Sequence, residues 1–410
     1  MAAMGKLRTA ASNSGDLPLD ALSEILLRFS AKELCRLRAV SPTWRSLTYD
    51  RAFIAAHRAR HREPLLAFAR RDDDHGHSVD IVDLSGELVR RMPRPENGVG
   101  VLGTRLDLVP VACRYRHMAL WVLNPSTGAA LALPDCHSEY MGNGPDQRFV
   151  FGCGFVERYA MGRVSTGEYK ALRITRCSFR SKDKVCEVIT IGADGSNHGV
   201  WREMPRTPSL MCTGDDVRRS PSIADEMKCV VVDGLVHFLI EFKSNNLGEA
   251  SCEPGSIASF NLETEEWMPI LHGPDPVRSF VLDNNRKYSY EDLGTQLSLS
   301  NLSGCLVTVH NIHNTSMDLW FLSDFEKGLW IKMYSLPSQV ARLLVYPLLV
   351  LDDERILFVH RINLFVCFDL KTGIYTYNLK TSACTRVFDL DMGGSDSGSI
   401  GVYTGSLLSA

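Results

Sequence analysis

Two histidines in HNIH, His310 and His313, stand three residues apart, and the aspartates Asp72, Asp73 and Asp74 run directly into HGH at 75–77. Imidazole and carboxylate groups at such separations are the raw material of a divalent-metal site. No carboxylate completes a ligand set in HNIH, and a pair of loop histidines is the plainer reading. The acidic run beside HGH reads as a solvated turn. Cys153 lies between glycines in GCGF. A nucleophilic thiol there would need an activating His and Asp, and none follows at a telling distance, so a buried strand cysteine is the better reading. The pairs Asp215–Asp216 and Asp352–Asp353 adjoin turn residues and serve turns before acid–base chemistry. No G-x-S-x-G elbow, H-E-x-x-H pair or Walker loop occurs. With no catalytic residue, no metal ligand set and no cofactor motif legible in it, the sequence points to binding and to the elements that present binding surfaces.

Composition narrows the class. Hydrophobic residues make up 45% of the 410, ordinary for a globular protein. The longest apolar run, LLVYPLLVL at Leu343–Leu351, falls far short of the roughly 20 residues that span a membrane. The opening MAAMGKLRTAASNSGD has no apolar centre of the secretory kind. No membrane partner is expected. Twelve cysteines lie singly from Cys35 to Cys384 without C-x-x-C spacing, which reads as reduced thiols in the cytoplasm and/or nucleus. The sequons at Asn301 and Asn314 then carry no glycan. A formal net charge of −3 argues against nucleic acid as a partner. Residues 1–62 hold eleven Lys/Arg against five Asp/Glu, a net of +6, which leaves −9 for the rest. Such a basic segment suits an acidic partner or a plain solvated surface.

The basic segment is helical by pattern. Asp16 or Leu17 caps a first helix with Pro18 at its first position, and Leu22, Ile25, Leu26 and Phe29 make one apolar face. Ser30 and Glu33 form a capping box for a second helix carrying Leu34, Leu37 and Val40. Ser41 and Pro42 open a third with Trp44 and Leu47, and Asp50 opens a fourth with Phe53, Ile54 and His57. His57 and His61 lack the carboxylates of a metal site. So few short helices cannot bury this much leucine and tryptophan among themselves. A partner groove takes the surplus, or else the β domain does.

Order and spacing here resemble the F-box. That pattern opens with Leu17-Pro18, continues through Asp20, Leu22, Ile25 and Leu26, takes Leu34 in the second helix, and closes with Val40, Ser41 and Trp44. The chain departs from the pattern at Phe29-Ser30, where Leu-Pro is usual, and at Ser41-Pro42, where Cys-Lys is frequent. The resemblance implies docking to a Skp-type adaptor, and through it to a cullin and a RING protein. Leu17, Pro18, Leu22, Ile25, Leu26, Leu34, Leu37, Val40, Ser41 and Trp44 would line or shape that interface.

From Pro64 the pattern turns to short alternating runs cut by turn residues. Six hairpins share a form in which an apolar strand meets Asp or Asn, a turn with Gly, Thr or Glu, and a second strand. They fall at 79–93, 120–134, 188–205, 257–270, 319–337 and 364–380. More apolar hairpins at 227–240 and 346–360 read as inner strands. A loose internal repeat of this kind predicts the blades of a propeller. Trp201, Trp267 and Trp330 follow turns at equivalent places and are expected to pack between blades rather than form a ligand platform. The region resembles the F-box-associated domain of plant F-box proteins, with kelch-like hairpins. VLNPSTGAALALP, GEYKALRI (167–174) and VDGLVHFL (232–239) carry the likeness, although the only Gly-Gly pair is Gly393-Gly394 and no Trp-Asp dipeptide occurs.

The expected architecture is a disordered stretch at 1–15, a small all-α F-box module at 16–60, and a large all-β domain at 64–405. That domain is a β-propeller of about six to eight blades, with stacked sheets as the alternative. In the tail, SIGVYTGSLL reads as a late strand completing a terminal blade. The expected function is the substrate-recognition subunit of a cullin–RING ubiquitin ligase, with no catalytic role and no cofactor. Target-binding loops are sought by length and polarity at 135–148, 206–226, 241–256 and 272–296. A propeller enzyme or carbohydrate-binding module with an incidental helical leader is the alternative.

Overall fold

The computed structural model describes residues 17–61, 63–72, 76–93, 99–113, 120–134, 155–176, 184–193, 199–204, 229–240, 255–277, 279, 297–312, 315–337, 345–351, 354–362, 371–390 and 399–408. The expected disorder at 1–15 lies outside them. The chain divides into two compact units, one running to Arg62 and taking up the tail from Ser406, the other spanning Glu63–Gly405.

The first unit holds α1 (Leu19–Leu26), α2 (Ala31–Leu37), α3 (Pro42–Tyr49) and α4 (Arg51–Arg60). Pro18 is the N-cap of α1 rather than its first residue, and its carbonyl accepts from Leu22 N at 2.9 Å. Phe29 falls beyond α1, where Arg28 N and Phe29 N make tight three-residue bonds to Ile25 O and Leu26 O. The capping box forms as read: Ser30 N donates to Glu33 Oε2 at 2.9 Å and Glu33 N to Ser30 Oγ at 3.3 Å. Pro42 opens α3, and Asp50 Oδ1 accepts from Ala52 N and Phe53 N at 2.9 and 3.0 Å to start α4. Leu22, Leu26, Leu27, Leu34 and Phe53 form the core, and Leu408 from the far end of the chain completes it. The tail from Ser406 therefore belongs to the helical unit, and part of the apolar surplus noted in the helices is covered by the chain itself.

Among the described residues the second unit is built from six sheets, antiparallel apart from one parallel pair. Sheet I holds β1 (Leu65–Asp72), β2 (Gly76–Val82) and β3 (Leu88–Pro93). Sheet II holds β4 (Val99–Val101), β6 (Val109–Cys113), β7 (Leu120–Leu123) and β8 (Ala130–Ala132); the short β5 (Arg105–Leu106), which lies between β4 and β6 in sequence, forms the edge of sheet I. Sheet III comprises β9 (Phe155–Arg163), β10 (Tyr169–Arg176), β11 (Lys184–Ile191) and β12 (Arg202–Glu203). Sheet IV comprises β13 (Cys229–Val232), β14 (Leu235–Leu239), β15 (Ile257–Asn261) and β16 (Glu266–Trp267). Sheet V comprises β17 (Leu297–Leu302), β18 (Cys305–Ile312), β19 (Ser316–Asp324) and β20 (Leu329–Pro337). Sheet VI comprises β21 (Val345–Val350), β22 (Arg355–Ile362), β23 (Lys371–Asn378) and β24 (Cys384–Leu390). The last strand, β25 (Gly401–Tyr403), supplies the fourth strand of sheet I. It pairs antiparallel with β1 at Leu66↔Val402 and parallel with β5 at Val402↔Arg105.

This pairing closes the propeller by joining the two ends of its chain in one sheet, which removes the open edges a linear row of sheets would leave. Cores lie between successive sheets. Leu172, Val188, Val236 and Phe260 join III to IV, and Val307, Leu319, Ile356 and Phe358 join V to VI. Leu66, Val82, Val359 and Leu390 join VI to I, so the ring has six blades.

Turn chemistry sets the outer hairpins. Asp83, Asn124, Asn261, Asp324 and Asn378 each end a third strand, and each Oδ1 accepts a backbone N–H from the turn that follows. Asp233-Gly234 and Ser303-Gly304 supply consecutive positive φ for inner hairpins. The hairpin read at 364–380 is displaced. Lys371–Asn378 is one strand paired to β22, and the turn follows Asn378, whose Oδ1 accepts from Lys380 N and Thr381 N. DLKTG and NLKTS carry similar turn chemistry, and pairing with β22 selects the second.

Strand alternation puts the first-to-second and third-to-fourth turns on one side of the ring. Second-to-third turns and sheet-to-sheet connections fall on the other. The four polar stretches named above all join strands that end on that second side. Apart from 255–256, 272–277 and 279, they lie outside the described residues.

Candidate functional site

The ten positions singled out in the helices divide by burial. Leu26 and Leu34 are 1% and 0% exposed, and with Leu22 they hold the helical core, against which Leu37 and Trp44 pack from part-buried positions. Leu17, Ile25 and Val40 are 55%, 41% and 67% exposed. Pro18 is exposed too, and Ser41 is half-buried. The first group shapes the unit and the second presents apolar surface to solvent. Leu19, Phe29 and Tyr49 add to that exposed set. Leu19 stands in apolar register with Leu22 and Leu26 yet is exposed, whereas Tyr49 breaks the spacing of Trp44 and Leu47.

Polar groups hold this surface in place. Arg38 Nη2 donates to Thr48 O at 2.9 Å and Nε to Thr48 Oγ1 at 3.2 Å, which ties the end of α2 to α3, and its guanidinium lies 3.9 Å from the Tyr49 ring centre. His57 Nε2 and His61 Nε2 donate to Phe29 O and Leu27 O at 2.9 and 3.0 Å, capping the carbonyls after α1. Their rings stack with centres 4.2 Å apart. Burial holds the His57 imidazole below its usual range, so the neutral, donating form is favoured. These histidines are structural clamps. Hydrogen bonds from Ser30 hold the Glu33 carboxyl below its usual range and keep the capping box ionised.

The propeller shows where the other candidates fall. His310 is not in a loop: it is buried in β18, directly across from Asp318 on β19. A carboxylate does therefore face it, contrary to the sequence reading, because strand register joins residues eight apart. Asp318 accepts from Ser335 Oγ at 2.6 Å and from Lys332 Nζ at 3.3 Å. The carboxylate engages the hydroxyl directly, the reverse of the order in which an imidazole activates a nucleophile. Among the described residues no group of three or more His, Cys, Asp and Glu is placed to hold a metal ion. Cys153, Asp215–Asp216, Asp352–Asp353 and His313 lie outside the described residues, as do residues 73–75.

The three tryptophans pack between blades. Trp201 Nε1 donates to Pro134 O of the preceding blade at 2.8 Å, and Trp330 Nε1 to His272 O at 2.9 Å. Trp267 packs edge-on to Phe260 of its own blade, with ring centres 5.1 Å apart, and against the core that its blade shares with sheet III.

A family model described as the F-box domain matches residues 15–54, and one described as the F-box associated beta propeller domain matches residues 108–392. Sheet I and the closing strand fall outside the second match. The F-box protein At3g07870 of Arabidopsis thaliana is 24% identical over 401 residues, covering 87% of this chain and 86% of its own. The Arabidopsis F-box protein CPR1 is 24% identical over 385 residues, covering 87% and 82%. Among solved structures, a Trypanosoma rangeli sialidase superimposes with a TM-score of 0.39 and 10% identity, over 81% of this chain and 54% of its own. Likeness at that level says nothing about ligand or activity.

Proposed function

Because the chain belongs to the plant F-box proteins that carry an F-box associated β-propeller domain, we propose that it is the substrate-recognition subunit of a Skp–cullin–F-box ubiquitin ligase. The helical unit docks a Skp-type adaptor, which brings a cullin and a RING protein. The propeller holds a target protein. The chain performs no covalent step: it raises the effective concentration of target lysines near a charged ubiquitin-conjugating enzyme. Recognition of the target is assigned to the side of the ring where the polar stretches attach, since rigid scaffolds carry binding residues on such connections. The setting is cytoplasmic and/or nuclear, in keeping with the free thiols at Cys35, Cys186, Cys229, Cys305 and Cys384.

The observation that carries this reading is the division of apolar residues in the helices. Leu22, Leu26 and Leu34 complete a core, yet Leu17, Leu19, Ile25, Phe29 and Val40 stay exposed. Apolar surface maintained on a unit that already has a core is a docking surface.

The test is binding of the full-length chain to a purified Skp-type adaptor, with Ile25→Glu and Val40→Glu as variants. Both side chains are exposed, so the fold is retained. A charge buried in an apolar interface costs several kcal/mol, against about 8 kcal/mol in a micromolar complex. Wild type binds and the double variant does not. A folded wild-type chain that fails to bind the adaptor overturns the proposal.

A further inference from the structure

The innermost strands enclose a cavity of about 80 Å3 at the centre of the propeller. Its wall is made by residues 103–105, 229–231, 299–301, 346–348, 399, 400 and 402. The closing strand β25 fixes one side of it, since Val402 N donates to Thr104 O at 2.7 Å and Thr404 N to Leu106 O at 2.8 Å.

One lining side chain carries a full charge at neutral pH. It is Arg105, and no aspartate or glutamate stands among the described lining residues. The Cys229 thiol stays protonated, because burial pushes it up to about 12. Arg105 Nη1 is buried and has no hydrogen-bond partner. Burial lowers the guanidinium pKa. Two other part-buried cations of the propeller are compensated: Arg173 grips Glu187 through two bonds of 2.6 and 2.9 Å, and Lys170 sits 2.7 Å from Glu265. An arginine does not shed its proton in a protein, so Arg105 is a part-buried cation that pairs with no carboxylate among the described residues, an arrangement that costs stability unless something completes it.

We propose that the central cavity is a binding site for a small oxyanion, a phosphate or carboxylate group, gripped by Arg105. The planar guanidinium presents paired donors that match two oxygens of such a group. Thr104 and Ser399 bring hydroxyls to the same wall. Ser300 Oγ and Asn301 Nδ2 are already committed to Pro347 O and Val231 O at 2.9 and 2.8 Å, and act as rigid walls. The volume has room for several waters or for one anion the size of phosphate. The anion arrives free or as a group borne by a bound target. The site does not rest on the ligase reading, because it is built wholly within the propeller.

The test is thermal unfolding of the full-length chain in chloride buffer and with rising inorganic phosphate at matched ionic strength. Phosphate raises the unfolding temperature of wild type in a saturating manner, by linkage. Arg105→Gln abolishes that response. In phosphate-free chloride buffer it unfolds at or above the wild-type temperature, because it removes an uncompensated charge. A merely structural arginine gives the opposite sign: lower stability for the variant with no phosphate response in wild type, and that result overturns the proposal. If Arg105→Gln fails to fold, phosphorus NMR line broadening with wild type, reversed by acetate competition, decides the matter. A phosphoserine peptide that binds tighter than inorganic phosphate assigns the anion to a target, and equal or weaker binding assigns it to a free ion.

Discussion

Leu408 lies two residues from the end of the chain, is 2% exposed, and packs with Leu22, Leu26, Leu27, Leu34 and Phe53. Leu408→Ala removes most of a side chain from a core built by four short helices. Such truncations cost about 3 kcal/mol, between the small loss at sites that collapse and the larger one where a cavity persists. The helical unit is close to the size below which a domain needs outside help, and its own stability is of the order of a few kcal/mol. A loss of about 3 kcal/mol lowers its folded fraction relative to the unfolded by about 100-fold. The assay is hydrogen exchange of the full-length chain. Amides of α1, α2 and α4 should exchange about 100-fold faster in Leu408→Ala, while those of β10, β14 and β18 keep their protection. Adaptor binding should weaken in parallel. Unchanged helix protection, or a loss confined to the propeller, would refute the placement of the tail in the helical core.

Other outcomes follow from the same coordinates. Deleting 406–410 should loosen the helices alone, whereas deleting 399–410 also removes β25 and should lower the unfolding temperature of the propeller by several degrees in calorimetry. Equal propeller transitions in the two deletions would contradict ring closure by the tail. Burial lowers His237, which contacts Ser259 and Phe325, to about 4, and lowers His310, which faces Asp318 and Lys332, also to about 4. The unfolded chain takes up these protons near pH 6.5 and the folded chain does not. Stability from these two residues is therefore full above about pH 6.5 and falls as the pH drops towards 4, by at most about 3 kcal/mol each. Urea midpoints at pH 7.5 and 4.5 should lie closer together in a His237→Gln, His310→Gln variant than in wild type, and an unchanged gap would count against the burial argument.

Features made by neighbours in sequence were legible without coordinates. The Ser30–Glu33 capping box, the Asp50 cap, the Asp233-Gly234 turn and the side-chain-bridged turns after Asp83, Asn124, Asn261 and Asp324 all depend on bonds spanning four residues or fewer. Local chemistry of that range is written in residue type and spacing. The same economy explains the one misplaced hairpin: at 364–380 two similar turn sequences compete, and only the pairing of β23 with β22 chooses between them.

What the tertiary structure decided depends on residues far apart in the chain. Six blades rather than seven or eight follows from β25 meeting β1 across more than 300 positions. His310 gains a carboxylate neighbour only through the register of β18 and β19. Which leucines of the helices are core and which are surface depends on how the four helices pack and on Leu408 arriving from the other end of the chain. Arg105 is one basic residue among 45 Lys/Arg in the sequence, and the ring gives it meaning by placing it on a cavity wall with no carboxylate among the described lining residues. Residue types and spacing record the local bonds; burial and electrostatic compensation are set by every neighbour that folding brings near.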